Sequence, residues 1–260
     1  MENTSYFDDI TNELNRIGID TEMPIVHAIF VNDHSGSMQV KTESGQTRAQ
    51  LATNNFNEQL AKIQRESDGV ITTVTIIEFD DRIMCNHHFI HQIKDNEDLK
   101  ITFPSNEVKP LTDWWAGGAT ALRDAIGAAI NIGNNLLSEH DTDDQSVLVM
   151  ILTDGEENTS SEWSDDRIRE EIKTLEASNK WTFTFMGGEL QAIDMIARMG
   201  FSRGNTYCMS QDIEGYSSAV RMSKRGLDEY YNMRRAGETN TTSFFTPEDD
   251  KCQQKEEGST

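Results

Sequence analysis

Residues 25–39 read IVHAIFVNDHSGSMQ, and the fold turns on how that run ends. Ile25 to Asn32 is short, apolar and rich in β-branched and aromatic residues, which predicts a buried strand. The strand closes on Asp33, and Ser35 and Ser37 follow at alternate positions in a loop that contains Gly36. An acid and two hydroxyls just beyond a strand end fit three readings: a nucleophile with helpers, a capped turn, or oxygen ligands of a metal ion.

The flanking sequence says what kind of sheet this strand joins. From Arg48 to Ile63, the residues Ala49, Ala52, Phe56, Leu60 and Ile63 recur at spacings of three and four, which is one face of a helix. VITTVTIIEF, 70–79, reads as a second strand, and Asp80-Asp81 mark a turn into RIMCNHHFI, 82–90, which returns as an antiparallel edge strand. The stretch Gly117-Gly118-Ala119-Thr120 opens a helix from Ala121 to Leu137, with Leu122, Ile126, Ile130, Gly133 and Leu137 on its inward face. VLVMIL, 147–152, is apolar at every position, as suits a strand covered on both faces of a parallel sheet, and it leads to Asp154.

Further on, Ser164 is a candidate N-cap with Asp165 and Asp166 in the first turn of a helix that carries Ile168, Ile172 and Leu175 inward. WTFTFMG, 181–187, is the next strand, followed by a helix around 189–199, a short strand near 205–209 and a last helix from about Glu214 to Met233. Strands alternating with helices imply an α/β fold: a doubly wound, mostly parallel sheet with one antiparallel edge strand and helices on both faces. Residues 1–23 form an N-terminal extension and 24–235 one domain. From Ala236 to Thr260 the chain is polar, acidic and without period, which predicts a disordered tail.

Composition narrows the function. Lys plus Arg total 23 against 45 for Asp plus Glu, and the formal charge of −22 repels phosphate backbones and anionic lipid heads. Neither nucleic acid nor membrane is expected as a partner. Cys85, Cys208 and Cys252 are scattered, odd in number and free of any CxxC pair, which argues against a disulfide framework and a zinc site and for a reduced, cytoplasmic setting. The first 24 residues lack the apolar core of a leader, and no stretch approaches 18 uninterrupted apolar residues.

In an open α/β sheet, ligands bind beyond the carboxyl ends of the strands. Asp33 and Asp154 each end a strand and Thr120 opens a helix, so with Ser35 and Ser37 they can place five oxygen-bearing side chains around one crevice. The absence of His and Cys from that set favours a hard ion such as Mg2+. The same residues resemble a known family. DHSGSM is similar to the DxSxS motif of the von Willebrand factor A domain, GGAT supplies that family's Thr, and LTDGEEN its second Asp. The three together, in order and on the right elements, resemble a complete metal-ion-dependent adhesion site. The likeness spans roughly residues 24 to 210 and is nearest to small stand-alone intracellular A-domain proteins of bacteria and their phages.

The resemblance implies that Ser35 and Ser37 ligate the ion through their hydroxyls and that Asp33 and Asp154 hold coordinating waters. Thr120 would bind directly or through water. Mg2+ is the implied ion, with Mn2+ or Ca2+ as alternatives. Carboxylates held one step back leave the ion's charge less neutralised and so receptive to an anion. The expected function is therefore a non-enzymatic, metal-dependent module that engages a Glu or Asp carboxylate of a partner protein. One rival is a structural or assembly component with a dormant site. A second is a metal-dependent hydrolase using Asp33 or Ser35 as nucleophile, against which DHSGSM lacks a GxSxG elbow and offers only His34 nearby as a base.

Other residues invite plainer readings. Glu156 and Glu157 read as a solvated loop, and His87, His88 and His91 as a polar edge strand rather than a second metal site. Trp114 and Trp115 suit either an interface anchor or packing beneath the glycine turn.

Overall fold

A computed structural model of the chain describes residues 23–66, 68–90, 118–139, 143–154, 157–188 and 198–245, with the backbone alone for 85–90. The apolar run that ends on Asp33 is strand β1 (Ile25–Asp33), buried along its whole length. It pairs in parallel with β2 (Ile71–Phe79) on one side and β4 (Gln145–Leu152) on the other. Strand β3 (Ile83–Ile90) lies antiparallel on the outer edge of β2, as the Asp80-Asp81 turn predicts. Strands β5 (Trp181–Gly188) and β6 (Thr206–Met209) continue the sheet in parallel beyond β4. The resulting order is β3-β2-β1-β4-β5-β6. Winding reverses between β1 and β4, so Asp33 and Asp154 stand at the carboxyl ends of the two strands flanking the switch point.

Alternation along each strand sends side chains to two cores. Val26, Ala28 and Phe30 face helices α1 (Arg48–Glu66) and α4 (Ile213–Arg235), where they meet Phe56, Leu60, Ala219 and Tyr230. Ile29 and Val31 face the other way, toward α2 (Leu122–Glu139) and α3 (Asp165–Ala177), with Ile126, Ile130, Ile168 and Ile172. All five residues expected to face inward on α1 are buried. Ser164 caps α3 by accepting from the Arg167 backbone N–H. At Gly133 the helix α2 backbone lies against Trp181 so closely that a Cβ would sit 2.3 Å from the indole, which explains a glycine on an inward face.

Two expectations need correction. The chain from Ala236 to Phe245 is not a tail: Phe244 and Phe245 join the α1/α4 core, and the Asn205 side chain bonds to Thr241 O and to the Phe244 N–H. Cys208, on β6, is disulfide-bonded, against the expectation from three scattered cysteines. Residues 1–22, 189–197 and 246–260, together with Trp114, Trp115 and His91, lie outside the described residues, as do the side chains of His87 and His88. Among the described residues no helix is long and apolar enough to cross a membrane.

Burial leaves a pH signature away from the sheet ends. Glu176, in the last turn of α3, has its carboxyl pushed above the usual value by burial, only partly offset by the Ser202 hydroxyl. A carboxyl whose folded pKa is raised adds stability below its unfolded value and loses it as pH rises through the folded one. Glu176→Gln is therefore expected to be more stable than the wild type at pH 7 and indistinguishable from it below pH 4, as urea unfolding at the two pH values would read.

Candidate metal centre

The loop after β1 is built around Asp33. Its carboxylate is fully buried; Oδ1 accepts from the Ser35 N–H at 2.7 Å and Oδ2 accepts from the Thr153 hydroxyl at 2.5 Å. The first bond is an Asx-type turn that folds the chain back after the strand, and a short 3-10 helix at Gly36–Gln39 follows from it. The second ties β1 to the end of β4. Burial raises the Asp33 carboxyl's pKa, the bonds from Thr153 and Ser35 pull it back, and the charge of Asp154 adds a smaller upward push.

The turn brings the two serines together. Ser35 Oγ lies 3.0 Å from Ser37 Oγ, and Ser37 Oγ donates to Asp154 Oδ1 at 2.8 Å. Asp33, Ser35, Ser37 and Asp154 are thus joined across the switch point through Thr153 and through these hydroxyls. Thr120 arrives on a separate loop. The Gly118 carbonyl accepts from the Gly36 N–H at 3.1 Å, and Gly118 itself takes a φ of 78°, a left-handed conformation that favours glycine. Thr120 is buried, its backbone clamped by Asn158, whose side chain accepts from the Thr120 N–H at 2.9 Å and whose N–H donates to the Thr120 carbonyl at 3.1 Å. Next in the chain, the Ala121 N–H donates to the Asp80 carbonyl. The five residues expected to form the site therefore lie at the end of β1 and on three loops that touch one another.

Several contributors were not expected. Arg48, the first residue of α1, donates from Nη1 to Asp154 Oδ2 at 2.6 Å. Gln211 Nε2 donates to the Asp154 carbonyl at 3.3 Å, and Tyr216, in the first turn of α4, is buried with its hydroxyl unpartnered. The Tyr216 phenol is pushed well above its usual pKa by burial and then by the charge of Asp154, with Arg48 acting the other way. Glu157 is no solvated loop residue: its carboxylate accepts from the backbone N–H groups of Arg123, Thr159 and Ser160 and from the Ser160 hydroxyl. It fastens the loop after β4 to the start of α2, the loop that also carries Asn158 to Thr120.

The donor set fits a small hard cation. Ligands at right angles and ~2.1 Å from Mg2+ stand about 3.0 Å apart, and the two serine hydroxyls are at that separation. The side chains of Asp33, Ser35, Ser37, Thr120 and Asp154 offer oxygen alone, which suits Mg2+ better than softer metals.

No family model matches the chain, and no curated protein matches it. Solved structures do. The fold is similar to that of PilB minor pilin from Streptococcus sanguinis, with a TM-score of 0.52 and 12% identity over 81% of this chain and 63% of that one. It is similar to the pilus adhesin SpaC from Lactobacillus rhamnosus GG, with a TM-score of 0.51 and 12% identity over 80% of this chain and 31% of that one. A von Willebrand factor type A structure from Catenulispora acidiphila gives a TM-score of 0.47 at 11% identity, over 78% of this chain and 42% of that one. The chain spans less than two thirds of each of these proteins, and at such identities the likeness is one of fold.

Proposed function

We propose that this chain is a metal-dependent protein-binding module without catalytic activity. Ser35 and Ser37 would hold a divalent ion, Mg2+ by the hardness of the donor set, with Asp33, Asp154 and Thr120 around it. The ion would supply an open coordination position for a Glu or Asp carboxylate of a partner protein. The observation that carries this reading is the pair of serine hydroxyls at ligand-to-ligand separation, bonded onward to Asp154 at the switch point of the sheet.

The chain's own residues support binding over hydrolysis. Ser37 donates its proton to a carboxylate, and Ser35 faces Ser37 rather than a base. His34, the one base next to Ser35 in sequence, is buried with Nε2 3.3 Å from Glu78. A serine nucleophile needs a free base within hydrogen-bond reach of its own oxygen; Ser35 Oγ meets Ser37, and the carboxylate that Ser37 reaches, Asp154, is tied to Arg48. A reduced, cytoplasmic setting belongs to this proposal, and a thiol count on non-reduced protein from its source tests it.

Calorimetric titration of Mg2+ and Mn2+ tests the site. Saturable one-to-one binding to the wild type, lost in Asp33→Ala, is the expected result, followed by partner capture that chelator abolishes. An Asp33→Ala isotherm equal to the wild type would place metal binding elsewhere and end this reading.

A further inference from the structure

Arg48 stands where a cation is out of keeping with its own helix. It begins α1, whose first turn carries no acid, and a positive charge there opposes the helix dipole. What holds it is Asp154. Its side chain is mostly buried, Nη1 bonds to Asp154 Oδ2 at 2.6 Å, and Nε is buried without a partner. Asp154 is thereby divided, with Oδ1 taken by Ser37 and Oδ2 by Arg48. The Tyr216 hydroxyl beside them is likewise buried and unpartnered, and it feels the charges of Asp154, Arg48 and Asp33. These groups are buried, and a fixed charge acts more strongly across buried surroundings than across bulk solvent.

We propose that Arg48 sets the order of binding at this site: its charge weakens the hold of the site on a bare divalent ion and strengthens the hold of the metal-loaded site on an anion. The inference rests on the metal reading above and deepens it. The physical reason is the sign of the interactions. A unit positive charge beside Asp154 repels a dication and offsets the carboxylate that would attract it. The same charge attracts a carboxylate arriving at the ion. With Arg48 in place, metal and partner carboxylate reinforce each other, and the ion is firmly held when the partner supplies its acid. Without Arg48, the ion is held by the protein alone and has less need of a ligand. This requires no movement of Arg48, because the effect follows from its charge at its observed position.

The test uses Mn2+ as the metal and acetate as the carboxylate. Calorimetry reads Mn2+ affinity, and water-proton relaxation of the Mn2+-loaded protein reads acetate displacing bound water. Arg48→Gln is expected to bind Mn2+ at least about tenfold tighter and acetate at least about threefold weaker than the wild type. Arg48→Lys, which keeps the charge, is expected to stay within about threefold of the wild type in both. Thermal unfolding checks each variant, and Arg48→Met, which keeps an apolar stem, replaces Arg48→Gln if that variant does not fold. Equal Mn2+ affinity in the wild type and the neutral variant overturns the role of Arg48 while the metal site stands. Tighter Mn2+ binding in Arg48→Lys as well overturns it too, because shape rather than charge would then decide. Failure of every protein to bind Mn2+ ends the metal reading and this inference with it.

Discussion

Asp154→Ala is expected to abolish divalent-metal binding and to lower unfolding stability in urea by about 2–3 kcal/mol. The two effects have different origins. Metal binding is lost because Asp154 orients the Ser37 hydroxyl and supplies negative charge at the end of β4. Stability falls because Arg48, 19% exposed, keeps its charge and loses its counter-ion. Deleting one partner of a fully buried pair costs about 3–5 kcal/mol, and the partial exposure of Arg48 places this pair somewhat below that range. Asp154→Asn separates the two origins, since an amide oxygen can still accept from Ser37 while the charge is gone. Its metal affinity should fall nearly as far as that of Asp154→Ala, with a smaller loss of stability. A wild-type metal isotherm for Asp154→Ala would remove the switch-point crevice from consideration.

Much of this arrangement is legible in the amino-acid sequence alone. Strand β1 and its neighbour β4 read as buried because both are continuous apolar runs, and buried strands that end on acids point those acids into the crevice of a parallel sheet. The helices were legible because their inward residues keep a period near 3.6. The partners of the site were not. Arg48 is 106 positions from Asp154 in sequence, and nothing local distinguishes it from any charged residue at a helix start. Gln211 and Tyr216 reach the site because the chain entering α4 meets the chain just beyond β4, a fact of topology rather than pattern. Thr153 was the one readable omission: it directly precedes Asp154 and so leaves β4 beside the Asp33 carboxylate at the end of β1.

Glu157 and the segment after Ala236 show why polarity misleads. A polar residue is read as solvated unless its partners are known, and the partners of Glu157 are backbone groups that exist only once the loop is folded. In the segment 236–245, two aromatic residues among Thr, Asn and Ser set no period, so the packing of that segment could not be inferred from spacing.

Phe244→Ala is expected to cost about 3–5 kcal/mol in urea unfolding, the range for removing a buried phenyl ring. Phe244 is 2% exposed and fills a hollow that α4 leaves for it at Gly226, where a Cβ would come within 2.4 Å of the ring. It adjoins Phe245 at 5.0 Å and Tyr230 at 6.4 Å between ring centroids. The backbone is fixed as well: the Phe244 N–H donates to Asn205 Oδ1 at 2.8 Å, and the Phe245 N–H donates to the Gly204 carbonyl at 2.7 Å. A substitution in a disordered tail would instead fall within about 0.5 kcal/mol of the wild type, so the two descriptions of this segment are separated several-fold. Ending the chain after Arg235 should cost more than the single substitution, because it removes Phe245 and the bonds to Gly204 and Asn205 along with Phe244. The consequence reaches the candidate site. Phe244 braces the middle of the helix whose first turn carries Tyr216 beside Asp154, so Phe244→Ala is also expected to weaken metal binding, an effect that no tail residue could produce.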